Sequence, residues 1–399
     1  VGWQNQLASL INYGFKGANM SLLLKNLRLI SPGLDLPGAA VLLEAGHIKK
    51  VFAAGEQLPS AAHEFDGEGQ MLMPGFIDIH CHGGMGYEAT SEQPQAIRSI
   101  CEGKIRDGVT SLCPTTLTLP EEKLAESLRH IEAYRRAPSA CKIAGTHLEG
   151  PYINPECAGA QNPAYLRQAD IDEVLRLHAI SPVSMVTYAV EMPGSLEFTA
   201  SLCQAGIMPS CGHSNATYAQ FKEGMQKGLK CLTHFCNQMT KLHHREIGLV
   251  GAGFCEDEVA IEIICDKIHL CPDMVKMIFK FKPIDKILLI SDAMEATGLP
   301  DGDYQLGGLA VVVSDGAARL ASNGALAGST LKMNIALKNA YELSGKALSE
   351  LVQTSSWNQA RELGLEKLGK IEAGYIADLV LLDDDFQVKQ VFLDGVAKL

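Results

Sequence analysis

Eight short apolar runs, separated by stretches of helical periodicity, constrain the fold of this chain more than any other feature of its sequence. Each run has the length and composition of a buried strand, and each intervening stretch can hold a crossover helix. The runs are 77–80, 110–113, 145–149, 185–188, 209–213, 231–234, 261–266 and 288–292. Eight strand–helix units predict an α/β fold of the (β/α)8 TIM-like barrel type.

The two ends of the chain differ in character from this middle part. Residues 20–72 contain short apolar runs broken by Pro–Gly and Gly turns, and similar runs return in residues 372–399. We therefore expect both ends to combine in one small β-sandwich domain that flanks a barrel at 73–371. Residues 1–19 form an N-terminal extension that we predict to lie outside the fold.

Charge and composition exclude several classes of partner. The net charge of -12 opposes nucleic acid binding, which needs a broad basic surface. No apolar run approaches the roughly 18 residues of a membrane span, and the opening residues lack the features of a signal peptide. The 12 cysteines form no C-x-x-C pair, so we expect reduced core residues and a cytoplasmic location.

Candidate metal ligands stand at the C-terminal ends of five predicted strands, where a barrel of this type has its active site. Two of the histidines share one side of their strand, because a strand has a period of two. Any one of these residues alone is more often a hydrogen-bonded interior group than a ligand. Their joint placement favours a metal site. The residues are His80, His82, Glu149, His213, His234 and Asp292.

Five segments carry a family resemblance and occur in the order that the family shows. They are 74–83, 147–152, 212–214, 233–237 and 291–294. The chain from about residue 20 to residue 399 resembles the N-acetylglucosamine-6-phosphate deacetylases of the amidohydrolase superfamily. The His-Leu-Glu-Gly-Pro and Ser-Asp-Ala-Met segments are the more specific to this family, whereas Asp-x-His-x-His is shared by many amidohydrolases.

The resemblance implies hydrolysis of a linear amide in amino-sugar catabolism: N-acetylglucosamine 6-phosphate and water give glucosamine 6-phosphate and acetate. It implies that Asp292 is the catalytic acid/base. The chemistry agrees, because an amide is a poor electrophile and water a poor nucleophile at neutral pH. A bound divalent metal lowers the pKa of water towards about 7 and so provides a stronger nucleophile. One carboxylate can then move the proton to the leaving amine.

The resemblance also implies the metal ligands. Glu149, His213 and His234 would bind the principal divalent ion. Some members of the family have replaced the first-strand histidines, but His80 and His82 are both present here, so the chain would hold one or two ions per subunit. Zinc suits this set of ligands, and iron, manganese and cobalt remain open.

Substrate contacts follow from the same resemblance. Arg245 and His269 would bind the phosphate of a phosphorylated amino sugar, and in relatives the arginine comes from the neighbouring subunit, which implies a homodimer. Arginine suits phosphate because its planar donor fork matches the phosphate oxygens. The sugar would be contacted by Ala160, Gln161, Asn237, Gln238, Leu326, Ala327 and Gly328.

One residue departs from the family pattern. Gln161 stands where members usually have a histidine that helps to polarise the acetyl carbonyl, so N-acetylgalactosamine 6-phosphate is an alternative substrate. A second alternative is an amidohydrolase of a cyclic amide or dipeptide, although many of those use a carboxylated lysine where this chain has Glu149. A third is a non-catalytic barrel module, although such a protein would be expected to have lost ligands.

Overall fold

The computed structural model describes residues 21–399. The predicted extension 1–19 therefore lies outside the described residues. The first barrel strand begins at Phe76, directly after a strand of the small β-domain that ends at Pro74. Within residues 21–399, no helix combines the length and apolarity needed to cross a membrane.

Eight parallel strands form the barrel and follow one another in chain order. The last strand returns to the first: the Asp292 N–H donates to the His80 carbonyl at 2.9 Å, and the His82 N–H donates to the Ala293 carbonyl at 2.8 Å. The predicted barrel is thereby confirmed. Its strands are Phe76–Cys81, Val109–Thr116, Thr146–Glu149, Val183–Tyr188, Met208–Cys211, Cys231–Leu232, Ala260–Ile264 and Ile287–Ile290, and Lys142–Ile143 pairs beside the second.

Helices cover the outside of the barrel, and most of them bury one face, whereas Gly248–Cys255 is buried along most of its length. In Glu121–Arg136 the buried face includes Leu124, Leu128 and Ile131, and acidic residues in the first turn and basic residues in the last turn complement the helix dipole. The α-helices of the described region are Ala96–Lys104, Glu121–Arg136, Ile171–His178, Ser195–Gln204, Tyr218–Gln226, Gly248–Cys255, Pro272–Phe281, Met333–Ser344, Leu348–Leu351 and Trp357–Glu362.

Both chain ends contribute strands to one eight-stranded sheet, as predicted. Leu379 pairs with Pro74 in antiparallel register, which joins the C-terminal strands to the N-terminal ones. Side chains alternate between two apolar clusters: Leu22 and Leu24 lie in one, and Leu23 lies in the other. The strands are Ser21–Ser31, Leu34–Glu44, His47–Phe52, His63–Asp66, Met71–Pro74, Leu379–Leu382, Val388–Leu393 and Val396–Ala397.

A three-stranded antiparallel sheet follows the eighth barrel strand, and it is absent from the sequence-based prediction. Its strands are Gly302–Leu306, Leu309–Ser314 and Ala317–Leu320. Two-residue turns connect them, at 307–308 and 315–316, and all four turn residues have positive φ. Gly-Gly and Asp-Gly turns are typical hairpin signals. The sheet buries an apolar face near the mouth of the barrel.

The cysteines are all free, and eight of them are buried. Cys203, Cys255 and Cys271 are exposed, so the expectation of core residues is wrong for these three. These three cysteines lie in or next to helices outside the barrel strands. The apolar runs that predict buried strand residues do not include them.

Candidate metal centre and active site

The C-terminal ends of the barrel strands bring all six predicted residues of the metal and acid set into one buried cluster. Each projects from a different strand end, apart from the first-strand pair, and each side chain is less than a tenth exposed. Two groups of three form within the cluster, and the ligand atoms of each group lie within 4.8 Å of one another. They are Glu149, His213 and His234, and His80, His82 and Asp292.

The first group is centred on one carboxylate oxygen. Glu149 Oε1 lies 3.3 Å from His213 Nε2 and 3.0 Å from His234 Nε2. The two imidazole nitrogens are themselves 3.0 Å apart. The other ring nitrogen of His213, Nδ1, lies 2.7 Å from the Cys157 carbonyl, which orients the ring with Nε2 towards the cluster.

The second group shares the same glutamate. His82 Nε2 lies 3.2 Å from Glu149 Oε2 and 3.3 Å from Asp292 Oδ1. His80 Nε2 lies 3.5 Å from Glu149 Oε1 and 3.5 Å from Asp292 Oδ1. Glu149 therefore contacts the imidazoles of both groups.

These residues fit divalent cations. Paired imidazole nitrogens face each other at 3.0 Å between His213 and His234 and at 3.3 Å between His80 and His82. A neutral imidazole has one unprotonated ring nitrogen, so a cation beside each pair would be bound by two such nitrogens. Imidazole and carboxylate donors suit zinc and its first-row neighbours.

The charges of the cluster shift its pKa values. Burial lowers the pKa of His80, but Glu262 and two further carboxylates outweigh it and raise that pKa to about 9. Against burial, hydrogen bonds with Asp292 and Glu149 raise the pKa of His82 to about 10. Burial raises the pKa of Asp292, but the two imidazoles bring it down to about 2. Asp292 is therefore ionised at neutral pH.

Three of these residues occupy left-handed backbone conformations. The φ angles are +47° at His213, +30° at His234 and +49° at Asp292. Residues other than glycine rarely adopt such angles, and they concentrate at functional sites when they do. The chain turns sharply as it leaves the fifth, sixth and eighth strands, and each turn directs its side chain into the buried cluster.

A second layer of buried polar residues lies beneath the cluster. Lys104 Nζ donates to Asp78 Oδ2 at 3.1 Å and to Ser291 Oγ at 2.8 Å, which ties the first strand to the eighth. His147 Nε2 lies 2.7 Å from Thr187 Oγ1. None of these residues was among the predicted site residues, although Asp78, a charged side chain inside an apolar run, carried a usable signal.

A cavity of about 300 Å³ opens above the cluster, and His82, Glu149, His213, His234 and Asp292 reach its floor. Seven of the predicted substrate-binding residues line it: Ala160, Gln161, Asn237, Gln238, His269, Leu326 and Gly328. Leu306 and Ala325 also line it, so the unpredicted sheet and the loop after it form one wall. The His269 ring is held by Asp266, with 2.7 Å between Nδ1 and Oδ2.

Two predicted residues lie elsewhere. Ala327 is buried in the apolar cluster of the added sheet, and its N–H donates to the Ala318 carbonyl rather than to the cavity. Arg245 is exposed on a loop, where its Nη1 lies 2.7 Å from His244 Nε2. Within this one chain, Arg245 does not line the cavity.

Gln161 lies against the central glutamate. Its amide nitrogen donates to Glu149 Oε2, and its amide oxygen accepts from the Thr118 N–H at 2.7 Å. The side chain is thus oriented by the backbone, with its donor facing Glu149.

The model of the amidohydrolase family matches residues 71–398, which include the whole barrel. The chain belongs to the amidohydrolase family. This amidohydrolase is 33% identical to the N-acetylglucosamine-6-phosphate deacetylase of Lysinibacillus sphaericus, over 94% of the chain and 97% of that relative. It is 37% identical to the N-acetylgalactosamine-6-phosphate deacetylase of Escherichia coli O157:H7, over 86% and 92% of the two chains.

Solved structures agree with the sequence relatives. A variant of the N-acetyl-D-glucosamine-6-phosphate deacetylase of Mycobacterium smegmatis, in complex with N-acetyl-D-glucosamine-6-phosphate, matches with a TM-score of 0.88 and 31% identity. The match covers 96% of this amidohydrolase and 99% of that chain. These likenesses place the chain among the N-acetylglucosamine-6-phosphate deacetylases, and the predicted family is confirmed.

Proposed function

We propose that this enzyme removes the acetyl group from an N-acetyl amino-sugar 6-phosphate, with N-acetylglucosamine 6-phosphate as the first candidate. The observation that carries the proposal is Glu149, which contacts four imidazoles at the floor of a cavity where Asp292 also lies. The family and the named relatives support the same activity.

Glu149, His213 and His234 would hold the principal divalent ion, and His80 and His82, which Glu149 also contacts, would hold a second ion. Zinc is the ion we propose. Bound there, a divalent cation supplies activation of water and polarisation of the acetyl carbonyl.

Asp292 is the group that moves the proton. Its carboxylate is ionised at neutral pH, because neighbouring imidazoles hold its pKa to about 2 against the effect of burial. It can therefore accept the proton of the attacking water and deliver it to the amine nitrogen as the C–N bond breaks. The products are acetate and the amino-sugar 6-phosphate with a free amine.

The remaining cavity residues would bind the sugar and its phosphate. His269, fixed by Asp266, lies on the cavity wall. We further propose a homodimer in which Arg245 of one subunit reaches the phosphate in the other. Its support is the exposure of Arg245 and its lack, within residues 21–399, of a carboxylate at ion-pair distance. The free thiols support a cytoplasmic location.

N-acetylgalactosamine 6-phosphate is the second candidate substrate. The relative from E. coli that is named for this sugar is 37% identical to the chain. Gln161 also replaces the histidine that the family resemblance led us to expect. Only turnover can separate the two epimers.

We expect the purified, zinc-loaded enzyme to release acetate from at least one of the two 6-phosphates. Non-phosphorylated N-acetylglucosamine should show kcat/KM at least about 100-fold lower, since two lost hydrogen bonds to a charged group are worth about 1.5–3 kcal/mol each. Acetate and free amine are measured for each sugar, with a dipeptide as control. Turnover of the dipeptide but of neither N-acetyl amino-sugar 6-phosphate would refute the proposal.

Gln161→Ala should lower kcat by less than the roughly 10²–10³-fold that loss of an oxyanion donor usually costs, because the cations share the charge on the acetyl oxygen. We expect His80→Asn to lower kcat further. Kinetics and metal content of both variants test this order. If His80→Asn left kcat unchanged while Gln161→Ala lowered it strongly, one cation would suffice and the Gln161 amide would be the main stabiliser of the charge on the acetyl oxygen.

A further inference from the structure

Glu262 is a fully buried carboxylate for which the reaction described above has no task. It lies at the centre of the seventh barrel strand, Ala260–Ile264, and every other residue of that strand is apolar. A buried carboxylate costs free energy unless its charge is compensated. Its presence in such a strand indicates a specific partner.

One oxygen of Glu262 contacts a residue from each of the two ligand groups. Oε2 lies 3.0 Å from His80 Nδ1, and it accepts from the His234 backbone N–H at 3.2 Å. The other oxygen, Oε1, has no hydrogen-bond partner in the described part of the chain. The charge of Glu262 is therefore directed at the metal ligands.

The contact with His80 determines the tautomer of the ring. A carboxylate holds a proton on Nδ1, and the lone pair of a neutral imidazole then lies on Nε2. His80 Nε2 faces the centre of the cluster, 3.3 Å from His82 Nε2 and 3.5 Å from Asp292 Oδ1. The ring thus presents its lone pair where a second cation would bind.

The contact with His234 acts on the backbone. His234 has a φ of +30°, and the bond to Glu262 holds the N–H of that turn. The His234 side chain projects from the same turn towards Glu149. A single carboxylate therefore supports ligands in both groups.

We propose that Glu262 is a positioning residue that couples the two cation sites. It orients His80 as an Nε2 ligand of the second ion, and it holds the turn that carries His234, a ligand of the principal ion. This inference rests on the proposed function, in which both histidines bind divalent ions. If the inference is correct, loss of Glu262 weakens cation binding itself, and this weakening can be measured without substrate.

Cobalt binding to the full-length, metal-free chain tests the inference without an activity assay. Co²⁺ is titrated into wild type, Glu262→Leu and Glu262→Gln, and visible absorption and bound metal are measured. We expect wild type to bind two equivalents, and Glu262→Leu to bind the second roughly 10- to 100-fold more weakly. Glu262→Gln keeps an acceptor oxygen, so it should recover most of the affinity.

Glu173→Leu is the matched control. Glu173 is also a buried carboxylate, but its partner is Arg167, on the outside of the barrel. This variant removes a buried charge without touching the cluster, so it should bind cobalt as wild type does. A loss of affinity in Glu173→Leu equal to that in Glu262→Leu would overturn the inference, because general destabilisation would explain both.

A second measurement covers the case in which Glu262→Leu does not fold. In zinc-loaded protein with ¹⁵N-labelled histidine, the His80 ring should carry its proton on Nδ1, and that resonance is identified by its loss in His80→Asn. In Glu262→Gln it should move upfield, because a neutral amide accepts more weakly. An unchanged resonance would overturn the inference.

The outcomes separate the two proposals. Two equivalents bound equally tightly by wild type and Glu262→Leu would overturn the role of Glu262 and leave the proposed function intact. Fewer than two equivalents in wild type would overturn the coupling together with the assignment of His80 to a second ion.

Discussion

Enzyme stripped of divalent metal is expected to show no turnover, and added zinc, iron, manganese or cobalt should restore it. Within residues 21–399, the groups at the floor of the cavity are imidazoles, carboxylates and the Gln161 amide. Asp292 is ionised because neighbouring imidazoles lower its pKa, but a carboxylate is too weak a base to ionise water unaided. Loss of water activation alone removes several orders of magnitude in rate, since a bound cation lowers the pKa of water from 15.7 to about 7.

The measurement is acetate release after chelation and gel filtration, with metal content determined in the same sample. Re-addition of magnesium, a cation that prefers oxygen donors, serves as the control and should restore little activity. Full turnover in a sample verified to be metal-free would remove the basis of the proposed mechanism.

Asp292→Asn is expected to lower kcat by at least the 10²-fold or so that is typical of a lost acid/base group, while the metal stays bound. Asparagine keeps the size of the side chain and tolerates left-handed backbone, so the φ of +49° can persist. The amide cannot accept the proton of the attacking water. The variant therefore separates proton transfer from folding and from metal binding.

Kinetics, metal content and melting temperature are compared with those of Asp303→Asn. Asp303 is exposed on the added sheet, so its replacement removes the same charge without touching the cluster. That control should turn over as wild type does. Near-normal kcat in Asp292→Asn with metal bound would place the proton transfer on another residue.

The six residues of the buried cluster could be found from the sequence because regular geometry controls their position. Strands of a parallel barrel end at one face, so residues at the ends of distant strands must meet there. Glu149 and Asp292 are separated by much of the barrel sequence, yet both lie 3.2–3.3 Å from His82 Nε2. The period of the strand likewise aligned His80 with His82.

Other features could not be found in that way. Glu262 and Lys104 support the site from inside the barrel, and their importance depends on which neighbours the register places beside them. The added sheet at 302–320 was missed because its strands are short and half exposed, although its turn residues carried a signal. Arg245 shows a further limit, since a contact across subunits leaves no pattern within one chain.

The left-handed backbone at His213, His234 and Asp292 lowers the stability of the fold while it positions the side chains that turnover requires. Each such conformation costs a non-glycine residue about 1–3 kcal/mol, so glycine at any of the three would relax the chain. Directed evolution for heat resistance alone would therefore favour substitutions that dismantle the catalyst. Stabilising substitutions that preserve activity should therefore be placed in the outer helices or the small β-domain, and these three turns should be left unchanged.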